Sequence, residues 1–241
     1  MNPKAPMKPV LLDNVTHRDL RIVTTRGAAW GDDQMSSPVF LTEFRSAQAY
    51  YPIVLQQSDD DGAFHPVALM GLRAGENLFL DARGWDAHYI PLTIERGPFM
   101  IGRGDNELMV HVDIDSPRVG RGEGAPVFLP HGGATEFLER INSVLLTIHQ
   151  GVEALPAFND ALARHGLVES FVVDVEAADG SNNRLAGFFT INEASLAALA
   201  APALAELHAA GYLSAIYMMV ASIAHFRDLI ERYNRRLARA A

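Results

Sequence analysis

Short apolar runs separated by turn residues dominate the first half of the chain. Residues 52–57 and 64–72 flank the turn Asp59-Asp60-Asp61-Gly62, and residues 98–101 and 107–113 flank a glycine-rich turn at 102–106. Asp-Gly between apolar runs favours a β-hairpin because both residues tolerate positive φ angles. The segment to about residue 115 is therefore predicted to be an antiparallel meander, which short strands near residues 76–81 and Trp85 extend.

Helical spacing replaces this pattern from residue 134 onward. The apolar stripe that predicts an amphipathic helix consists of Phe137, Ile141, Val144, Leu145 and Ile148. Thr135 is a predicted cap. We expect a break near Gly151 or Pro156, after which a second helix ends at Gly166.

A late hairpin, at residues 170–176 and 184–191, interrupts the helices of the second half. Asn192, Pro202 and Gly211 then mark the starts of further helices, and the last of these runs from residue 212 to about Arg236. An isolated hairpin is marginally stable, so we expect this one to join the earlier sheet. The prediction is one α+β domain over residues 1–241, with a mainly antiparallel sheet in the first half and helices plus one hairpin packing on one face.

Composition removes several classes of function. The 241 residues are 49% hydrophobic and include no Cys, so the chain can build a core but has no thiol nucleophile, disulfide or thiolate metal site. The net charge of −9 argues against a nucleic-acid partner, because nucleic-acid binding depends on neutralising phosphates. A Gly-x-Ser-x-Gly elbow is also absent from the sequence, which argues against a hydrolase of that type.

Hydropathy predicts a protein that is not embedded in a membrane. The most apolar run, residues 212–226, is shorter than the roughly 18–20 residues that cross a bilayer, and Arg227 and Asp228 follow it directly. The first nine residues have no apolar stretch of the kind that signal peptides carry. We therefore expect a cytoplasmic protein.

Many short sequence motifs resemble the SapC family in their order and approximate spacing, over about residues 10–230. The first are His17-Arg-Asp-Leu-Arg21, Glu43-Phe44, Tyr51-Pro-Ile-Val54, Pro66-Val-Ala-Leu69 and Gly75-Glu-Asn-Leu-Phe79. The later ones are Trp85, Tyr89-Ile-Pro91, Arg96 with Pro98-Phe99, Ile114-Asp115-Ser116, Gly211-Tyr212-Leu213 and Ile216-Tyr217. The chain departs from the pattern at Arg96-Gly97, where a double-basic phrase is expected, and at His111, where the family more often has a small residue.

The resemblance implies a bacterial protein but no reaction. The family takes its name from an operon tied to surface-layer protein transport. Similar proteins are thought to be encoded near outer-membrane receptors, flavin-dependent halogenases or cupin-like oxygenases. The expectation is an accessory or binding protein of a surface-layer, export or outer-membrane uptake system, with a protein partner or a small molecule as its ligand and with no cofactor.

Polar residues beside aromatic ones are the candidates for a ligand-binding site, since such pairs suit a recognition pocket. They are His17, Arg21, Tyr51, Asn77, Trp85 and Arg96. Residues 116–133, which hold five glycines and three prolines, are predicted to be a loop and are the best candidate for a mobile lid or partner-binding segment.

An alternative is a small non-heme iron oxygenase. His111 and Asp113 alternate on one predicted strand, so both side chains lie on one face, as in a His-x-Asp metal motif. Asp115 adds a second carboxyl group on the same edge, and the two carboxyls would also suit Ca²⁺ or Mg²⁺. The third iron ligand would come from His149, His165, His208 or His225, and the cofactor would be Fe(II).

A third hypothesis is a homo-oligomeric scaffold that associates through the apolar helix at residues 212–226. The sequence leaves these three hypotheses open.

Overall fold

Antiparallel hairpins form the first half of the molecule, as predicted. The structure is a computed structural model that describes residues 8–103, 107–176, 180 and 182–240. Its strands are β1 (Pro9–Leu11), β2 (Arg21–Ile22), β3 (Ser36–Pro38), β4 (Ile53–Gln57), β5 (Phe64–Leu69), β6 (Leu80–Asp81), β7 (Gly84–Trp85), β8 (Phe99–Arg103), β9 (Leu108–Asp113), β10 (Val119–Gly120), β11 (Ala125–Pro126), β12 (Val168–Glu176) and β13 (Asn182–Ile191). Its α-helices are α1 (Phe44–Ala47), α2 (Leu92–Glu95), α3 (Glu136–Arg164), α4 (Glu193–Ala197), α5 (Ala201–Ala209), α6 (Tyr212–Ser222) and α7 (Phe226–Ala240).

The main sheet has five antiparallel strands in the order β12-β13-β4-β5-β3. The first predicted hairpin is β4–β5, in which Ile53 pairs with Ala68. The late hairpin β12–β13 joins the same sheet, because Phe189 pairs with Leu55 of β4. Both predictions are confirmed, as is the α+β class; the predicted turn residues 104–106, 179 and 181 lie outside the described residues.

Two hydrophobic clusters make up the core. The larger one joins β4 and β5 to α6, α7 and the end of α3. The smaller one joins Phe99 of β8 and Val112 of β9 to Leu138, Ile141 and Leu145 at the start of α3. A single domain remains our prediction, and a helix that contributes to both clusters supports it.

Helix α3 is continuous, so the predicted break near Gly151 or Pro156 is wrong. Thr135 caps its start by accepting a hydrogen bond from the Leu138 amide, as predicted. Gly151 is explained by packing, because a Cβ there would lie 2.5 Å from Cγ of Phe40. Pro156 removes only one backbone donor, and Val152, whose carbonyl loses that donor, is half-exposed to water.

The segment 116–133 consists mainly of turns and bends, as the loop prediction expects, but it also contains the short strands β10 and β11. Both β10 and β11 pair with β2, which lies almost a hundred residues earlier in the chain. The β2 contacts involve Arg21 and Ile22, whose short sequence shows no strand period. Pairing between such distant two-residue segments has no local signal, which is why the sequence pattern missed it.

The predicted final helix consists of α6, a short 3-10 turn at Ile223–His225 and α7. By length and composition alone, the run Tyr212–Arg239 could cross a membrane, with a mean hydropathy of 1.3 in its most apolar window. Our expectation that its apolar part is too short therefore does not hold for the complete helix. Length and composition are weak evidence for a span, and Ile216, Met219 and Leu229 of this run pack in the larger cluster.

Candidate functional site

A long groove runs between α3 and the edges of β3, β5 and β8. We call it the α3 groove; its volume is about 920 Å³. The apolar part of its wall comprises Phe40, Pro66, Met100, Ile101, Ile148, Val152 and Leu155. This volume and this lining are those of a small-molecule site, in which apolar walls supply affinity and a few polar groups fix orientation.

Of the predicted ligand-binding residues, Arg96 lines the groove, and His149, one of the histidines proposed as an iron ligand, lines it as well. Arg96 follows α2 and lies where the α3 groove meets a second, smaller cavity of about 500 Å³, which it also lines. Its Nη1 donates a hydrogen bond to the carbonyl of Phe99, and burial lowers the pKa of its guanidinium. No carboxylate among the described residues forms an ion pair with it.

Asn159 and Asp160 line the α3 groove near the β4–β5 turn, close to Asp61 and His65. Nδ2 of Asn159 donates to the carbonyl of Phe64 over 2.8 Å, which fixes the side-chain amide. Its Oδ1 is buried and has no hydrogen-bond partner among the described residues. The sequence analysis missed both residues, because on a helix they look like an ordinary polar face.

Tyr51 and Trp85, two further predicted residues, belong to a buried hydrogen-bond network. Trp85 Nε1 donates to Tyr51 Oη over 2.9 Å, and the Tyr51 hydroxyl in turn donates to the carbonyl of Tyr89. The Tyr89 hydroxyl donates to Oε2 of Glu43 over 2.6 Å. Neither Tyr51 nor Trp85 lines the α3 groove or the smaller cavity, so this pair builds the core.

Glu43 is a buried carboxyl at the end of that network. It also accepts hydrogen bonds from the amides of Phe40 and Leu92, at 2.9 and 3.1 Å, and so holds the first turn of α2. Burial raises the pKa of this carboxyl, and its three hydrogen bonds only partly oppose that effect.

His17, Arg21 and Asn77 also have structural contacts. The ring of His17 accepts from the amide of Asp13 over 3.2 Å, and Arg21 donates to the carbonyl of Gly124 over 2.8 Å. Asn77 is almost fully buried and joins the carbonyl of Asp32 to the amide of Phe79. These contacts hold distant loops together, and none of the three lines the α3 groove or the smaller cavity.

The proposed iron ligands do not converge. His111 lies against Gly102, Asp113 accepts from the backbone amide of Lys8 over 2.9 Å, and Asp115 is exposed. The histidines proposed as third ligands are elsewhere: His149, His165 and His225 each face a carboxylate of their own, and His208 is at the end of α5. In the part of the chain that the structure describes, no three His, Asp or Glu side chains form a group that could hold a metal.

The sequence analysis also missed a buried ion pair. Arg118 and Asp32 are both nearly inaccessible to solvent and lie 2.6 Å apart, Nη2 to Oδ2. Arg118 also donates to the carbonyls of Val23 and Thr25, while Asp32 accepts from the amide of Gly27. Because these partners are scattered through the chain, no local pattern distinguishes Arg118 from a surface arginine.

Comparison with known proteins identifies the family of this chain but no individual relative. A family model for SapC matches residues 12–229 of the 241. The chain belongs to the SapC family. Comparisons with curated proteins and with solved structures found no match.

The SapC family phrases in this chain have two kinds of position. Those that contain Glu43, Tyr51, Trp85 and Tyr89 meet in one hydrogen-bond network, although up to 46 residues separate the partners. The motif that contains Arg96 instead lies at a cavity, because Arg96 and Pro98 of this motif both line the smaller cavity. In this SapC protein, Arg96 and the α3 groove are therefore the candidate site.

Proposed function

We propose that this SapC family member is a non-catalytic binding protein that holds an elongated apolar molecule in the α3 groove, with an anionic group of that molecule at Arg96. The proposal rests on Arg96, a partly buried cation without a carboxylate partner among the described residues, at one end of an apolar groove. Removing a cation from water is costly unless a counter-charge replaces the water, and an anionic ligand would supply that charge.

A long-chain carboxylate is the simplest molecule with these properties. Its methylene chain would lie along the apolar residues of α3, where each buried methylene contributes about 0.8 kcal/mol. Its carboxylate would accept charge-assisted hydrogen bonds from the Arg96 guanidinium. The hydroxyl of Thr93, which also lines the groove, already donates to the carbonyl of Pro38, so it is not poised as a nucleophile.

The cellular role that we propose is the one that the resemblance to the SapC family suggests. We propose a cytoplasmic accessory protein of a bacterial surface-layer, export or outer-membrane uptake system that acts through this ligand or through a protein partner. The groove favours the small molecule over the self-associating scaffold, because the buried face of α6 and α7 is already occupied by the core.

Calorimetric titration with hexadecanoate, below its aggregation concentration, tests the proposal. We expect saturable binding to the wild type and at least a tenfold loss of affinity in Arg96→Gln, since a hydrogen bond to a charged group contributes about 1.5–3 kcal/mol. Arg140→Gln is the matched control, because Arg140 is exposed, pairs with Glu95 and lies outside the groove lining.

Hexadecanol provides the second comparison, since it has the same chain without the charge. We expect the wild type to bind hexadecanol more weakly than it binds hexadecanoate. Arg96→Gln should bind the two molecules with equal affinity. Equal affinity of the wild type and Arg96→Gln for hexadecanoate, or no binding to either protein, would contradict the proposal.

A further inference from the structure

Arg96 lies at the boundary between two cavities, so an anion bound there is not at a closed end. Four residues line both the α3 groove and the smaller cavity: Pro38, Thr93, Arg96 and Met100. None of the four is buried, so the boundary between the two cavities is a solvent-accessible rim. A fatty acid ends at its carboxylate and would therefore leave the smaller cavity unfilled.

The wall of the smaller cavity is more polar than the wall of the α3 groove. Its polar side chains include Gln34, Ser37, Asp113 and Ser116, and the partly buried ring of Trp30 lines the same space. An amide and a hydroxyl both donate and accept hydrogen bonds, a carboxylate accepts, and an indole N–H donates. A group with several hydroxyls matches this wall, because each hydroxyl also donates and accepts.

The charges around the smaller cavity restrict a bound anion to its rim. Asp113 and Asp115 line the cavity, and the arginine of its inner wall, Arg118, is buried and paired with Asp32. A second negative charge inside the cavity would face like charges without a free cation among the described lining residues. The two cavities therefore suit a molecule with one negative charge at Arg96, an apolar chain on one side and an uncharged polar group on the other.

We propose that the ligand is a single-chain phospholipid whose phosphodiester lies at Arg96 and whose polyol head group occupies the smaller cavity. The inference rests on the proposed function, because it assumes an anion at Arg96 and a hydrocarbon chain in the α3 groove. A phosphodiester has one negative charge and a substituent on each side, as this position requires. Nη1 of Arg96 is bonded to the carbonyl of Phe99, whereas Nε and Nη2 have no partner among the described residues and are available to phosphate oxygens.

Calorimetric titrations of the whole protein with three lysophospholipids test the inference. Each has the same hexadecanoyl chain, and each is used below its aggregation concentration. Lysophosphatidylinositol has a polyol head group, and lysophosphatidylmethanol has a methyl group in its place and the same single charge. Lysophosphatidic acid has no head group and a higher negative charge. We expect lysophosphatidylinositol to bind the wild type at least about tenfold more tightly than the other two.

The outcomes separate this inference from the proposed function. If hexadecanoate binds in an Arg96-dependent manner but lysophosphatidylinositol and lysophosphatidylmethanol bind equally, this inference is overturned and the proposed function stands. Tightest binding of lysophosphatidic acid would show that the anion is terminal, and it would overturn this inference too. If neither hexadecanoate nor lysophosphatidylinositol binds, the proposed function fails as well. Tighter binding of lysophosphatidylethanolamine, which has a cationic head group, would overturn the choice of a polyol.

Trp30→Ala locates the head group. Trp30 lines the smaller cavity and not the α3 groove. We expect the affinities of this variant for lysophosphatidylinositol and lysophosphatidylmethanol to lie within about threefold of each other. Tyr217→Ala is the matched control, because Tyr217 is also an accessible aromatic residue, 53% exposed, and lines neither cavity. Loss of the preference in both variants would overturn the placement of the head group at Trp30.

Ala29→Phe tests the same placement without removal of a large side chain from the wall. Ala29 is exposed and lines the smaller cavity alone, so a phenylalanine there narrows that cavity and should not disturb the core. We expect the preference for lysophosphatidylinositol to fall, with circular dichroism unchanged. Ala224→Phe is the control, because Ala224 is exposed and outside both cavities. Retention of the full preference in both Trp30→Ala and Ala29→Phe would overturn the inference.

Discussion

Two regions of the molecule hold buried polar groups, and they differ in how completely those groups are paired. In the first region, the buried Asp32–Arg118 pair and the separate network that ends at Glu43, each charged group has a charged partner or at least three hydrogen bonds. In the α3 groove, Arg96 has one carbonyl partner, and one oxygen of Asn159 has none among the described residues.

We propose that this difference separates residues that stabilise the fold from residues that bind a ligand. A fully paired buried network stabilises one arrangement of the chain, whereas an incompletely paired group keeps part of its cost of burial until something binds. Two arginines, Arg118 and Arg96, represent the two regions. Replacing each of them by methionine, which has a similar length and no charge, turns the comparison into measurements.

Arg118→Met should have the largest effect on stability. The change leaves the Asp32 carboxylate buried with only Arg26, at 3.5 Å, as a charged neighbour, and it unpairs the carbonyls of Val23 and Thr25. Breaking a buried pair by removing one partner costs about 3–5 kcal/mol of unfolding free energy. Urea unfolding followed by circular dichroism measures this loss.

Arg83→Met is the matched control for that prediction. Arg83 also pairs with a carboxylate, Asp81, but its side chain is 83% exposed. Exposed pairs contribute about 0–1 kcal/mol. Equal destabilisation by the two substitutions would show that burial does not distinguish the two ion pairs.

Glu43 should make a smaller, pH-dependent contribution within the paired network. Because burial raises the pKa of its carboxyl in the folded state, the folded protein holds this proton more tightly than the unfolded chain does. The wild type should therefore lose stability relative to Glu43→Gln as pH rises from the ordinary carboxyl pKa, about 4.3, through the raised value. Unfolding free energies of both proteins between pH 4 and 7 test the sign, and a difference that is constant or opposite would contradict it.

Much of the fold was predictable because its signals are local. The turn before Gly62, the caps Thr135 and Asn192, and the stop at Gly166 each act within a few residues, and all are found in the structure. The continuation of α3 through Pro156 was not predictable, since it depends on the packing of Gly151 against Phe40 from another part of the chain. The pairing of β10 and β11 with β2 was also not predictable, because it joins segments that are far apart in the sequence.

The candidate site was less predictable than the fold. An aromatic residue beside a polar one is common to a pocket and to a core network, so the same criterion selected Arg96, in the groove, and Tyr51, in the core. His111 and Asp113 share a strand face, but a metal site needs a third ligand, and its position depends on the whole fold. Asn159 is distinguished only by an unpaired atom, which no sequence pattern can show.

Arg96→Met should have the smallest effect on stability. It removes one hydrogen bond to the Phe99 carbonyl, and it also removes a partly buried cation that has no carboxylate partner among the described residues. The two effects oppose each other, so the unfolding free energy should stay within about 1 kcal/mol of the wild type or rise. Urea unfolding of Arg96→Met beside Arg118→Met measures the contrast, and Arg96→Met should in addition bind hexadecanoate at least tenfold more weakly than the wild type. A loss of stability as large as that of Arg118→Met would mean that Arg96 holds the fold, and the distinction between the two regions would then be wrong.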